Sequence, residues 1–176
     1  MARIGVLGIG NVLMGDDALG PYVVKLLEAR YEVPGGVEIA ELGTPGGDLP
    51  LFLDGLEAAV VVDTVKAAGE PGEIRLLDKA QLLSRKPVLP ATPHEPGLRE
   101  ALFTLEFQGR GPREVRFVGV VPSSVEMAVG LSPAVRASVP AAVAQVVREL
   151  ESMGIAVRER REPHPPDLWW ERQPLE

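Results

Sequence analysis

Four side chains stand out as able to do chemistry together: the adjacent acids Asp16 and Asp17, Asp63 at the end of an apolar run, and His94, one of two histidines. Two carboxylates and one imidazole make an oxygen/oxygen/nitrogen donor set for a borderline divalent metal such as zinc, copper, iron or nickel. The chain has no cysteine, which removes disulfides, thiolate nucleophiles and thiolate metal sites. A closed structural zinc site is therefore not expected, and any metal site should keep open positions. No G-x-S-x-G elbow is present, and Ser123-Ser124 have no histidine partner in sequence, so a serine triad is not supported.

Each of these residues also has an ordinary reading. A loop histidine is more often solvated than a ligand, and an acid before a helix often caps it. Capping accounts for one acid of the Asp16-Asp17 pair, but not for the glycine-asparagine turn ahead of both. A dinucleotide-binding turn needs G-x-G-x-x-G, yet the residue three after Gly10 is Leu13, and two acids stand where a pyrophosphate would approach. Spacing alone leaves metal binding and carboxylate-based hydrolysis both open.

The elements around these residues follow from periodicity. Ile4 to Leu7 reads as a buried strand, followed by Gly8 and Gly10, which free the backbone to turn. Asn11, the sole asparagine, suits a left-handed turn position. Leu19 to Arg30 is a helix with Leu19, Tyr22, Val23, Leu26 and Leu27 on one face. Val37 to Leu42 is a second strand, ending in the glycine-rich loop Gly43 to Gly47. Asp48 is expected to cap a helix from Leu49 to about Leu56. Ala58 to Val62 is a continuous apolar run of the kind found in central parallel strands. Glu73 to Leu77 and Val115 to Val121 are further strands. Asp78 begins a short helix through Leu83, and Gly97 to Phe107 is a helix. Pro133 opens a helical turn, and Pro140 begins the final helix, which Gly154 ends. Residues 1–157 then form a single domain, and 158–176, rich in charge and proline around Trp169-Trp170, a poorly packed tail. Alternating strands and helices predict a three-layer α/β fold, its twisted sheet mainly parallel with helices on both faces. In such a sheet the acidic loops lie at the carboxyl ends of the strands, where ligands bind.

Composition narrows the function classes. The formal net charge of -7 leaves no electrostatic footprint for nucleic acid or an anionic membrane. No apolar run approaches a membrane span, and Gly10, Asn11 and Asp16 interrupt any signal-peptide core. A cytoplasmic location is expected.

Four blocks resemble one family, the hydrogenase maturation endopeptidases, which process the C-terminus of the large subunit of nickel-iron hydrogenases. Gly8-Ile9-Gly10-Asn11-Val12-Leu13 with Asp16-Asp17 and Gly20 is similar to the family's N-terminal signature. Val60-Val61-Val62-Asp63 resembles its second acidic strand end, and Pro93-His94 with Gly97-Leu98 its histidine loop. Gly119-Val120-Val121-Pro122 and Gly130-Leu131-Ser132-Pro133 resemble its late strand-to-helix signature. The blocks appear in order across residues 3 to 154.

By that resemblance the metal-binding and catalytic side chains are Asp17, Asp63 and His94. The family often has glutamate where Asp17 stands, and aspartate where Glu41 stands. The resemblance implies an aspartyl-type, nickel-dependent endopeptidase that removes a C-terminal extension from a nickel-loaded large-subunit precursor. On this resemblance nickel comes with the substrate, and other divalent metals can substitute for it in the free enzyme. The partner is the precursor; no nucleic acid or membrane is involved, and a monomer is expected. The alternative on the same fold is a non-catalytic nickel-sensing chaperone.

Overall fold

The computed structural model describes residues 3–84 and 97–172. Along the chain these form β1 (Ile4–Ile9), α1 (Leu19–Arg30), β2 (Tyr31–Glu32), β3 (Val37–Gly43), α2 (Leu49–Leu53) and β4 (Ala58–Thr64). There follow β5 (Ile74–Asp78), α3 (Lys79–Leu83), α4 (Gly97–Phe107), β6 (Glu114–Val120), α5 (Pro133–Ser152) and β7 (Arg158–Glu159). Five strands make one sheet in the order β3-β1-β4-β6-β5. All neighbours are parallel except β5, which runs antiparallel to β6 at the edge. The expected three layers are present. One face of the sheet packs on α1 and α5, with Val6, Val60, Val62 and Val118 meeting Leu27, Val143 and Val146. The other face packs on α2 and α4, with Leu7, Val61 and Phe117 meeting Leu53, Leu102 and Leu105. Every residue of β1 and β4 is buried. That explains why their sequences, up to Ile9 and Val62, are continuous apolar runs rather than alternating ones.

α1 and α4 have the bounds that their 3.6-residue stripes predict. α3 begins where Asp78 and Gln81 close a capping box. Asp48, by contrast, caps nothing. Its backbone is already helical and its side chain makes no capping hydrogen bond, because a 3-10 turn at Gly46–Asp48 leads straight into α2, which stops at Leu53. The final helix starts at Pro133, and Pro140 lies inside it. The stripe Val135, Val139, Ala142, Val143, Val146 and Leu150 runs through that proline without a break. Pro140 is exposed, so the Arg136 carbonyl it leaves without a helical donor lies on the solvent side.

The segment after residue 157 is not a poorly packed tail over its described part. β7 pairs antiparallel with β2. The last carbonyls of a helix have no partner within it. Here the Arg160 N–H donates to the Arg30 carbonyl at 2.8 Å and the His164 N–H to the Ala29 carbonyl at 3.2 Å. Trp170 is buried, its ring edge-on to Tyr22 with centroids 5.1 Å apart. Glu171 accepts hydrogen bonds from the Tyr22 hydroxyl and the Arg136 guanidinium, and that guanidinium lies 5.2 Å from the centre of the Tyr22 ring. Proline and charge density point to disorder; the burial of Trp170 and the terminal carbonyls of α1 override it.

Burial pushes the Glu171 carboxyl upward, but the Tyr22 hydroxyl and Arg136 outweigh it and hold the group below its ordinary value. A depressed carboxyl stabilises the fold above its unfolded pKa and loses that contribution as pH falls through its folded value. The melting-temperature gap between wild type and Glu171→Gln should therefore be present at neutral pH and shrink as pH falls below 4.5. Trp170→Ala should cost about 2–4 kcal/mol in urea unfolding, near the range for aromatic truncation in a core. Deletion after Val157 should lower the melting temperature by at least as much as Trp170→Ala.

Candidate functional site

The site begins with three glycines. A Cβ on Gly8 would lie 2.5 Å from the Gly20 carbonyl oxygen, and one on Gly20 would lie 2.2 Å from that of Ile9. Gly10 has φ +147°, and a Cβ there would meet the Asp17 carbonyl oxygen at 1.8 Å. The end of β1 and the start of α1 thus touch backbone to backbone, which no residue with a side chain permits. The connecting 3-10 turn, Gly15–Ala18, is pressed into the protein with all four residues buried. Asn11 does not take the left-handed conformation expected of it; among the described residues only glycines have positive φ. Its side chain instead accepts the Leu13 N–H at 3.0 Å, closing an Asx turn.

Among the described residues, the buried polar or charged side chains are Asp16, Asp17, Asp63 and Thr64. The three acids are 1%, 4% and 2% exposed. Burying a carboxylate is costly unless hydrogen bonds compensate, so what holds each one matters. Neither Asp16 nor Asp17 caps α1. Asp16 accepts the backbone N–H groups of Ser123 (2.8 Å), Ser124 (3.1 Å) and Ser132 (2.6 Å), and the Ser132 hydroxyl at 2.9 Å. It fastens the loop after β6 to the loop after β1. Asp17 Oδ2 accepts the Asn11 N–H at 2.8 Å, which ties the carboxylate to the glycine turn. Asp63 Oδ1 accepts the Thr64 N–H at 2.7 Å.

Asp17 and Asp63 share the carboxyl edge of the sheet. β1 and β4 are neighbours with Gly8 opposite Val62, so Asp63 comes level with the end of β1, where the Gly10 turn begins. Along β4, Val61 faces the α4 side of the sheet; Asp63, two residues on, has the same parity. His94 lies outside the described residues. α4, however, begins at Gly97 and leads into the amino end of β6, where the Arg113 N–H donates to the Glu57 carbonyl at 2.8 Å just ahead of β4. A helix running toward the amino edge starts toward the carboxyl edge, so Gly97, the first residue of α4, lies on the side of the sheet edge that carries Asp17 and Asp63. Glu41 ends up opposite Gly8 on β3 and is half-buried.

This edge thus holds two oriented, buried carboxylates. Among the described residues no three acids or histidines group to hold a metal; His94 is the third donor that the sequence names. Such carboxylates can ligate a hard or borderline cation or take a proton from water. The Asp16 clasp escaped sequence reading, because its partners are three serines more than a hundred residues away. The only signal was Ser132 standing directly before Pro133, which reads as a helix start.

Asp16→Ala should lower unfolding stability by about 2–4 kcal/mol, since it removes four hydrogen bonds to a buried carboxylate. A loss under about 1 kcal/mol in urea titration would refute its role as the clasp between the two loops.

Comparison with known proteins adds a second line. The family model described as HycI, hydrogenase maturation protease, matches residues 21–149. The chain is 35% identical over 166 residues to the hydrogenase 2 maturation protease of Escherichia coli K12, covering 92% of this chain and 99% of that protein. It is 32% identical over 161 residues to the hydrogenase expression/formation protein HupD of Rhizobium leguminosarum bv. viciae, covering 91% and 80%. The solved hydrogenase maturating endopeptidase HybD from E. coli superposes with a TM-score of 0.81 at 34% identity, covering 90% of this chain and 98% of that one. The [NiFe] hydrogenase maturation protease HybD of Thermococcus kodakarensis gives 0.67 at 26%, covering 84% and 98%.

Proposed function

Since this chain belongs to the hydrogenase maturation protease family, we propose that its carboxyl-edge acids carry out C-terminal processing of a nickel-iron hydrogenase large-subunit precursor. The chain is a hydrolase of the protease class. The reading beyond that rests on one observation: the buried acids of the described structure gather at a single edge of the sheet. Oriented carboxylates at the carboxyl edge of a mainly parallel sheet stand where such folds bind ligands and where acid–base or metal chemistry needs them.

In this reading Asp17, Asp63 and His94 receive the nickel ion that the precursor carries beside its cleavage point. Nickel is substrate cargo, and its binding confirms that the precursor is loaded before it is cut. Bound there, it supplies Lewis acidity at the scissile carbonyl. The chain's own part is to orient the donors. The Asn11 N–H holds Asp17 through Oδ2, and the Thr64 N–H holds Asp63 through Oδ1. A carboxylate so held can also take the proton of the attacking water, which is the aspartyl-type element of the proposal. Asp16, saturated by Ser123, Ser124 and Ser132, is assigned to structure and not to the metal. That supports Asp17 as the ligand of the adjacent pair. No observation favours the non-catalytic chaperone. No helix among the described residues is long and apolar enough to cross a membrane, and the cysteine-free sequence accords with the cytoplasmic location that this partner implies.

The test is a gel-shift assay with nickel-loaded and nickel-free precursor. Wild type should shorten only the loaded form. Asp17→Asn, Asp63→Asn and His94→Ala should each reduce cleavage by at least about a hundredfold, in the range for removing a catalytic acid, base or metal ligand, with circular dichroism unchanged. Wild-type cleavage by His94→Ala would overturn the three-residue site. Cleavage of both precursor forms would keep the protease and overturn the nickel requirement.

A further inference from the structure

One buried group is left without a role by the processing chemistry. Thr64, the last residue of β4, is wholly buried, and among the described residues its hydroxyl oxygen has no hydrogen-bond partner. A buried hydroxyl in that state weakens a fold. Packing does not call for it. The run just before Asp63 is Val60-Val61-Val62, and valine has the shape of threonine with a methyl in place of the hydroxyl.

The strand sets where that hydroxyl lies. Val60 and Val62 pack with α1 and α5, and Thr64 has their parity, so its side chain is on the face opposite to that of Asp63. On that face the start of α1 comes down on β4. A Cβ on Gly20 would lie 2.7 Å from the Val62 carbonyl oxygen, and the 3-10 turn that carries Asp16 and Asp17 packs against the same strand. On its other flank Thr64 stands opposite Val120 of β6, and the Val65 N–H donates to the Val120 carbonyl at 3.0 Å. The hydroxyl is thus enclosed by the acid turn and the end of β6, the two segments that Asp16 joins.

Asp16 is not available to it. Its oxygens already accept four hydrogen bonds, the capacity of a carboxylate. Asp17 is the other carboxylate of that turn. Buried polar groups that do not meet directly are bridged by an internal water, which makes about three hydrogen bonds of its own.

Resting on the processing reading above, we propose that Thr64 is a positioning residue for Asp17, its buried hydroxyl seating one internal water that hydrogen-bonds the Asp17 carboxylate. The hydroxyl donates to the water, and the water donates to the carboxylate. Asp17 is then held from two directions, by the Asn11 N–H in the turn and by the water over β4. Thr64 serves both acids in this arrangement, because its N–H holds Asp63 Oδ1. One residue thereby ties the two carboxylates to a common frame.

The hydroxyl and the methyl of Thr64 can be tested apart in the full chain. Thr64→Val keeps the shape and loses the hydroxyl; Thr64→Ser keeps the hydroxyl and loses a buried methyl. With nickel-loaded precursor, Thr64→Val should lower kcat about tenfold or more, the range for a group standing behind a metal ligand, with KM within about twofold. Thr64→Ser should recover most of that loss. Urea midpoints should rank the other way, Thr64→Ser below Thr64→Val, because only serine leaves a cavity. A crystal structure of the wild-type chain should show a water within about 3.2 Å of both the Thr64 hydroxyl and the Asp17 carboxylate, and Thr64→Val should lack it. Wild-type kcat in Thr64→Val, or Thr64→Ser cutting no faster than Thr64→Val, would overturn the positioning role and leave the processing reading intact. A wild-type crystal without that water would overturn the seat whether or not the chain cuts. Failure of the wild-type chain to cut loaded precursor would overturn the processing reading, and the positioning role with it.

Discussion

Everything at the carboxyl edge depends on a contact between two stretches of bare backbone. β1 and α1 approach so closely that the Gly8, Gly10 and Gly20 positions admit no Cβ. The constraint is steric and nearly absolute, since repulsion at 2 Å cannot be relieved by a rotamer change. It fixes the 3-10 turn between them, and that turn carries Asp16 and Asp17. A looser crossing would let the acids swing into solvent, where each would be a surface charge. The close crossing forces them inward, and their hydrogen-bond partners are then matched to that forced position.

The adjacent acids have opposite assignments in spite of identical chemistry. Asp16 is saturated by donors from a loop more than a hundred residues away, and functions as a structural ligand for that loop. Asp17 is tied to its own turn through Asn11. Environment separates the two roles, as it does for paired carboxylates in general. Where Asp17 resembles a position often filled by glutamate, the tight turn behind Gly10 gives a physical setting for the shorter side chain: its carboxylate is held close to the backbone.

Sequence reading succeeded wherever a pattern was local. α1 and α4 follow from their 3.6-residue stripes, and the buried strands β1 and β4 from continuous apolar runs. The glycine turn and the acid pair were legible because the residue types at that spacing are unusual. It failed where the deciding partner was distant. Pro140 reads as a start signal until the stripe from Val135 to Leu150 is seen packed on one face. The tail reads as disordered until Trp170 is found against Tyr22. Asn11 is the local exception: it reads as a left-handed residue, whereas its side chain accepts the Leu13 N–H two residues on and closes the turn that way. The site was legible in part for the same reason. Two acids could be named from strand ends, but the clasp on Asp16 joins positions that share no motif.

That clasp also sets a timetable. Asp16 is made early by the ribosome, yet the donors that justify its burial come from residues 123 to 132. Contacts of such long sequence separation form late, because the intervening chain must first be ordered. Until Ser132 has emerged, Asp16 is better off in water, and the turn bearing Asp17 has no reason to settle against the β6 loop. A nascent or truncated chain lacking that loop therefore has its acids but not its site. The edge is therefore built as much by residues 123 to 132 as by the residues that carry its acids.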